Sequence, residues 1–441
     1  MADYVVLFSV PGLRERDVAV MPNLRELMAG GEIADLVPSF PCVTCPVQAN
    51  MTTGSLPDVH GVVANGFYWR ERGEVEMWTS PNDCIEKPQL WDLLSHHRSG
   101  LTSAVWFPLH AKGCEAEYVC TPAPIHNPDG SESLWCYTRP QELYGELRDA
   151  LGHFPLMHFW GPMANVKSTA WILESALHAA KKWRPNFFYI YLPQLDFDAQ
   201  RHGPDSAQAD YAVGDLDRLL GRIAKDLREA YDADPLWLVA GEYAIVPVRH
   251  VTYPNRVLRE AGLLKVRETD EGELLDLAGS QAWAMVDHQF SHVFVAGGDA
   301  AIAERVAGLF RAQQGIAEVL VGDQRARYHL AHARSGEVIL VSDPHSWQAY
   351  YWWLSDDRAP PFARKVDIHR KPGYDPVELY LDMATKSIPL DATLIKGSHG
   401  APALDRSQRT VMLASEPGIL PATSIADSDV FGAVLRQFGM Q

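Results

Sequence analysis

The sequence predicts an α/β fold: a mostly parallel central sheet with helices on both faces, carrying a smaller α+β insertion. Three observations predict it. Short, continuously apolar runs alternate with amphipathic helical stretches along the first 250 residues, which calls for crossover connections and a sheet covered on both sides. The runs are apolar throughout rather than alternating, as strands buried on both faces are. From about residue 251 the texture changes. The chain therefore divides into a core of residues 1–250 and 386–441 and an inserted α+β subdomain of residues 251–385.

The elements follow in order. Residues 4–10 form an apolar run stopped by Pro11-Gly12, which reads as a buried strand. Residues 23–29 read as a helix closed by Gly30-Gly31, and residues 101–106 as a second strand. An amphipathic helix over 169–182 leads into a strand over 187–192. A long helix over 207–230 leads into a strand over 236–240. In the insertion, residues 292–296 and 336–342 read as strands, 300–313 as a helix, and 358–376 as ordered loop. Parallel sheets place their chemistry beyond the strand ends. The polar groups to inspect are thus the Pro11-Gly12 turn, the Thr44 turn, residues 196–202, Glu242-Tyr243 and His399.

Composition narrows the function. The 441 residues are 47% hydrophobic, enough for a large core, and the net charge of −17 argues against duplex nucleic acid or an anionic membrane as partner. No run of 18 apolar residues occurs, and the N-terminal segment reads as a strand and turn of the fold. All six cysteines fall in the first third of the chain. Together these features predict reduced thiols and a cytoplasmic protein.

The stretch Pro38-Ser39-Phe40-Pro41-Cys42-Val43-Thr44-Cys45-Pro46 sets Thr44 just ahead of a helix that Gly54 ends. Pro46 suits a first turn. Thr44 would then lie near a helix N-terminus, where free N–H groups favour an anion. Thr44 as a plain N-cap is the alternative. Cys42 and Cys45 lack a second pair at zinc-finger spacing and are expected to pack against neighbours.

Thr44-Cys45-Pro46, Thr53-Gly54, Pro57, His60-Gly61 and Asn65-Gly66 together resemble the nucleophile region of the alkaline phosphatase superfamily, and within it the nucleotide pyrophosphatase/phosphodiesterase branch. The match runs without a gap over about twenty-two residues. The resemblance implies that Thr44 is the nucleophile and that Asn65 hydrogen-bonds a phosphoryl oxygen. It also implies two zinc ions held by three Asp and three His besides the Thr.

The ligand motifs of that family are degenerate here. Where an Asp-Gly-x-Arg would follow the first strand, the chain has Pro11-Gly12-Leu13-Arg14. Where Asp is followed four residues later by His, it has Asp196 and Gln200, with His202 two residues further on. Where Asp-His follows a strand, it has Glu242-Tyr243, and a phenol with a pKa of about 10 is a poor zinc ligand. Only Gly397-Ser398-His399-Gly400 is intact. The resemblance thus implies a divalent ion (Zn, Mn or Mg), at most one tightly bound, at Asp196, Gln200, Glu242 and His399. Oxygen donors tilt the choice toward Mn or Mg.

Tyr243, His202, Asp367 and His369 are second-tier ligands. Asp367 and His369 are expected on one side of an extended segment, and residues 287–292 are equally rich in ligand chemistry. Either segment could close over the site or make ordinary polar contacts. Phe67, Tyr68 and Trp69 could line a pocket for a flat leaving group or belong to the core. The expected activity is hydrolysis of a phosphodiester, pyrophosphate or related phosphoryl bond by Thr44 with a reduced or rearranged metal site. The alternative is a non-catalytic relative that binds a phosphorylated or anionic small molecule.

Overall fold

The computed structural model describes residues 2–79, 81–97, 100–126 and 132–440. Thirteen strands build its two larger sheets. In chain order they are β1 (Val5–Ser9), β2 (Glu32–Val37), β3 (Ser103–Trp106), β4 (Tyr118–Pro122), β5 (Cys136–Arg139), β6 (Phe187–Tyr191) and β7 (Leu236–Ala240). Then come β8 (Ala282–Asp287), β9 (Phe290–Val295), β10 (Ile316–Val321), β11 (Val338–Ser342), β12 (Thr410–Ala414) and β13 (Ser424–Ala426).

The main sheet has nine strands in the order β13-β2-β12-β7-β1-β6-β3-β4-β5. Its centre, β7-β1-β6-β3-β4, is parallel, and β12 and β5 run against their neighbours. β1, β6 and β7 are buried along their whole length, which is why their sequences show no alternation. Six helices matter for the site and its support: α1 (Thr44–Thr53), α2 (Val166–Trp183), α3 (Gln194–His202), α4 (Ala207–Tyr231), α5 (Ala300–Phe310) and α6 (Asp429–Gln437). Asn165 caps α2 by accepting from the Lys167 N–H, and Ser206 caps α4 by accepting from the Ala209 N–H.

The insertion carries the antiparallel sheet β8-β9-β11-β10 with α5 against it. Its hydrophobic cluster draws in Phe40, Val43, Val63, Ala64 and Met77 from the segment around α1. The insertion is thereby packed onto the segment that carries Thr44 and Asn65. Residues 365–380 form turns held by a buried cation: Lys371 Nζ lies 2.8 Å from Asp375 and 2.5 Å from Glu378. Trp160 donates its indole N–H to Glu378 at 2.6 Å.

Two local expectations change. Thr44 is not the N-cap of α1; it is the first helical residue, and Val43 holds the cap position without a side-chain bond. The segment with Asp367 and His369 is not extended, because Asp367 accepts the Arg370 N–H at 3.1 Å and closes a turn.

α1 is tied to the chain's other end by Asp427. This buried carboxylate accepts from Ser39 N at 3.0 Å, Ser39 Oγ at 2.7 Å and Asn50 Nδ2 at 2.7 Å. Asp427→Ala would leave those donors buried without partners and should lower unfolding free energy by about 2–3 kcal/mol in urea denaturation. A change below about 0.5 kcal/mol would show that the tie is energetically idle.

Candidate functional site

The ends of β1, β6 and β7, the tip of the β8–β9 hairpin and the loops carrying Tyr374 and His399 converge on the start of α1. The Thr44 hydroxyl shares a hydrogen bond of 2.9 Å with the Tyr243 hydroxyl. Cys45 N–H, a free donor at the helix start, donates to Asn65 Oδ1 at 2.9 Å. Asn65 in turn gives its backbone N–H and its side-chain amide to Asp287, at 2.8 and 3.0 Å. The donors that the resemblance reserves for a phosphoryl oxygen are thus engaged within the protein.

β7 ends at Ala240 and is followed by Gly241, where a Cβ would overlap the Thr410 hydroxyl. The chain then turns through Glu242 in the left-handed region, at φ 53°. For a residue with a Cβ this costs about 1–2 kcal/mol and is held by surrounding bonds. Glu242 Oε1 accepts from Ser9 Oγ at 2.5 Å and from Gln48 Nε2 at 3.0 Å. Burial pushes the Glu242 carboxyl from 4.5 up to about 8, against the opposing pull of those two bonds. Pro11, at the end of β1, brings no side-chain donor.

Asp196 and Gln200 lie one turn apart on α3 and share a face. Gln200 Oε1 accepts the Tyr374 hydroxyl at 2.7 Å. Burial raises Asp196 to about 7. His399 Nδ1–H donates to the Cys42 carbonyl at 2.8 Å, so Nε2 keeps its lone pair. That Nε2 stands 3.8 Å from Asp196 Oδ1, and neither atom has a hydrogen-bond partner.

A column of four rings fills the centre. Tyr243 stacks on His399 at 3.8 Å between centroids, His399 meets His288 at 3.9 Å, and His288 stacks on Tyr374 at 3.6 Å. His288 Nδ1 is bonded to Asp287 at 2.6 Å. Burial lowers the pKa of both histidines well below the ordinary value, so both imidazoles are neutral. The site is closed to solvent: Thr44 is 4% exposed and Tyr243 0%.

These residues do not fit the implied metal ions. Among the described residues, no group of three or more His, Cys, Asp or Glu is arranged to hold one. Pro11 has no donor, Tyr243 is a buried phenol raised well above its usual pKa, and Glu242 Oε1 is shared by two donors, which leaves only its Oε2 without a partner. Gln200 does not offer its carbonyl to an ion, because that oxygen is turned to Tyr374.

The second-tier candidates other than Tyr243 are not brought into the centre. His202 is exposed at the end of α3, 4.0 Å from Asp198. Asp367 is ion-paired with Arg370, and His369 is exposed. Phe67 is buried and stacks on Trp69, while Tyr68 packs on Trp283 and Phe294. Cys42 and Cys45 are buried free thiols. Sequence reasoning did not single out Ser9, Gln48 or Tyr374, and it left residues 287–292 as one of two equal possibilities.

A family profile described as type I phosphodiesterase / nucleotide pyrophosphatase matches residues 5–375. The chain belongs to that family, and its fold is the alkaline-phosphatase-like α/β fold. An uncharacterized pyrophosphatase/phosphodiesterase of Schizosaccharomyces pombe is 25% identical over 228 residues, 51% of this chain and 41% of that protein. Ectonucleotide pyrophosphatase/phosphodiesterase family member 3 of Bos taurus is 22% identical over 51% of this chain and 23% of its own length. The matches thus span less than half of those relatives. Among solved structures, murine ectonucleotide pyrophosphatase/phosphodiesterase 5 superposes with a TM-score of 0.63 at 13% identity, covering 99% of this chain and 95% of that one. Phosphonoacetate hydrolase from Sinorhizobium meliloti 1021, in complex with phosphonoformate, gives 0.63 at 16% identity, covering 98% and 95%. No described helix is long and apolar enough to cross a membrane.

The raised Glu242 pKa carries a stability consequence. The folded chain holds this proton more tightly than the unfolded one, so the contribution is complete below the ordinary 4.5 and is lost as pH rises through about 8. Glu242→Gln keeps the shape without titrating. Between about pH 5 and pH 8, the unaltered chain should lose unfolding free energy relative to this variant. Parallel stability curves for the two proteins would contradict the assignment.

Proposed function

We propose that this chain is a family member in which the metal-dependent phosphoryl-transfer centre has become a metal-free, hydrogen-bonded one, and that it does not hydrolyse phosphodiesters by the family route. The fold then serves as a binding scaffold rather than a catalyst. The observation that carries this reading is Tyr243, whose hydroxyl is bonded to Thr44 while its ring stacks on His399. A threonine hydroxyl needs a metal or a base to become a nucleophile. Its hydrogen-bond partner here is a phenol whose pKa burial raises further, which is a poor base for the Thr44 proton. The centre holds three buried carboxyl groups, of Asp196, Glu242 and Asp287. Among the described residues, none of them is in an ion pair with Lys or Arg, which disfavours a phosphate inside the sealed centre.

A second reading keeps hydrolysis of a phosphodiester or pyrophosphate bond. Thr44 would attack with Asn65 beside it, aided by one ion at Asp196 and His399. The unpartnered Asp196 Oδ1 and His399 Nε2, facing each other across 3.8 Å, favour it. A phosphorylated small-molecule ligand belongs to this reading too, since a fold neighbour is an inactive variant of the murine protein in complex with AMP.

Turnover of an aryl phosphodiester separates the two. With Zn, Mn or Mg added in turn, the purified chain should match the protein-free background, and Thr44→Ala should be indistinguishable from it. Metal-dependent turnover that Thr44→Ala abolishes would overturn the proposal and establish Thr44 as the nucleophile.

A further inference from the structure

The core residues Asp196, Gln200 and His399 do not by themselves account for a metal-free centre. They lie together, His399 Nε2 presents a lone pair, and Asp196 Oδ1 faces it. A carbonyl oxygen from Gln200 would complete an N, O, O set of the kind a divalent cation accepts. Two residues from the 251–385 segment interfere. Tyr374 donates its hydroxyl to Gln200 Oε1 and so turns the amide N–H groups, which repel a cation, toward the centre. Gln200 Nε2 makes no well-formed hydrogen bond, although Gln200 lies close enough to Asp196 to offset part of the rise that burial imposes on that carboxyl. His288 lies with its ring 3.9 Å from His399 and covers it.

His288 is held there at some conformational cost. It occupies the two-residue turn between β8 and β9 with φ 58°, left-handed for a residue with a Cβ. Asp287 grips its Nδ1 at 2.6 Å. Gly400 has no Cβ because the hairpin tip is packed against it: one would lie 3.2 Å from Gln289 N and 3.3 Å from His288 Cβ. Tyr374 sits on a loop folded by the buried Lys371, Asp375 and Glu378 cluster. Both elements press onto one spot and brace each other: the Tyr374 N–H donates to the Val286 carbonyl of β8 at 2.9 Å, and the Tyr374 and His288 rings stack.

We infer that the insertion caps a latent one-ion site: His288 and Tyr374, rather than the core residues, keep Asp196, Gln200 and His399 free of a divalent cation. The inference rests on the metal-free reading above. It deepens that reading by assigning the exclusion to two side chains outside the degenerate motifs.

Titration calorimetry with Zn²⁺, and separately Mn²⁺, on the chelator-treated full chain tests it. The informative quantity is the binding that Asp196→Asn removes, which separates this site from surface histidines. The unaltered chain should show none. His288→Asn with Tyr374→Phe should bind one ion; Asn tolerates the left-handed turn, and Phe deletes only the hydroxyl. If that double variant does not fold by circular dichroism, Tyr374→Phe alone decides, and it should bind one Asp196-dependent ion at least about tenfold more tightly than the detection limit that the unaltered chain fails to reach. An Asp196-dependent ion in the unaltered chain overturns the inference. So does the absence of one in the folded double variant or, failing that, in Tyr374→Phe. Phosphodiester turnover is measured on the same samples. Ion-dependent turnover by the unaltered chain would sink the metal-free reading, whereas a double variant that stays ion-free would sink only the cap.

Discussion

Three carboxyl groups buried close together, with no Lys or Arg paired to them among the described residues, set the terms for everything around them. Taking an ionised carboxylate out of water costs several kcal/mol unless hydrogen bonds or a counter-charge repay it. Each of the three is accommodated differently. Asp287 gathers donors from the Asn65 backbone, the Asn65 amide and His288. Glu242 receives two donors and is raised by burial to about 8, so at neutral pH it is mainly protonated. Asp196 is raised to about 7 and stands at the edge of ionisation. Two zinc ions would supply four positive charges; this site manages with protons and neutral donors.

The substitutions make sense together on that basis. Pro11 removes what would be a fourth carboxylate. Tyr243 replaces an imidazole with a ring of similar breadth that stacks on His399, and its hydroxyl reaches Thr44. Gln200 accepts the Tyr374 hydroxyl through its side-chain carbonyl. Ser9 and Gln48 supply the donors that hold Glu242 in its strained conformation. Together these changes tie most of the centre into one network, leaving Asp196 Oδ1, His399 Nε2, Glu242 Oε2 and Gln200 Nε2 without hydrogen-bond partners.

Much of this was legible in the sequence because the relevant information is local. The strands β1, β6 and β7 follow from uninterrupted apolar runs, and α2 and α4 from helical periodicity and end signals. The Thr44, Asp196, Glu242 and His399 turns were found because parallel sheets gather strand ends. What sequence could not supply was contact between distant segments. That Tyr374 orients Gln200, 174 positions away, depends on how the insertion folds over the core. The same holds for Asp287 and Asn65, 222 positions apart. The extended reading of residues 367–369 failed for a simpler reason: an Asp that accepts a backbone N–H three residues on makes a turn. Gln200 was read as a carbonyl donor because an amide's orientation is set by its partner, and that partner lies in another part of the chain.

The central claim is that a hydrogen-bonded, metal-free network occupies the place of the family's metal centre. The most direct test is diffraction from crystals of the unaltered chain grown with excess zinc, recorded at the zinc absorption edge. The account predicts no anomalous peak among Thr44, Asp196, Glu242 and His399, with the Thr44 and Tyr243 hydroxyls still within hydrogen-bond distance. Two anomalous peaks about 4 Å apart in that volume, the separation of a two-metal phosphoryl-transfer site, would contradict it.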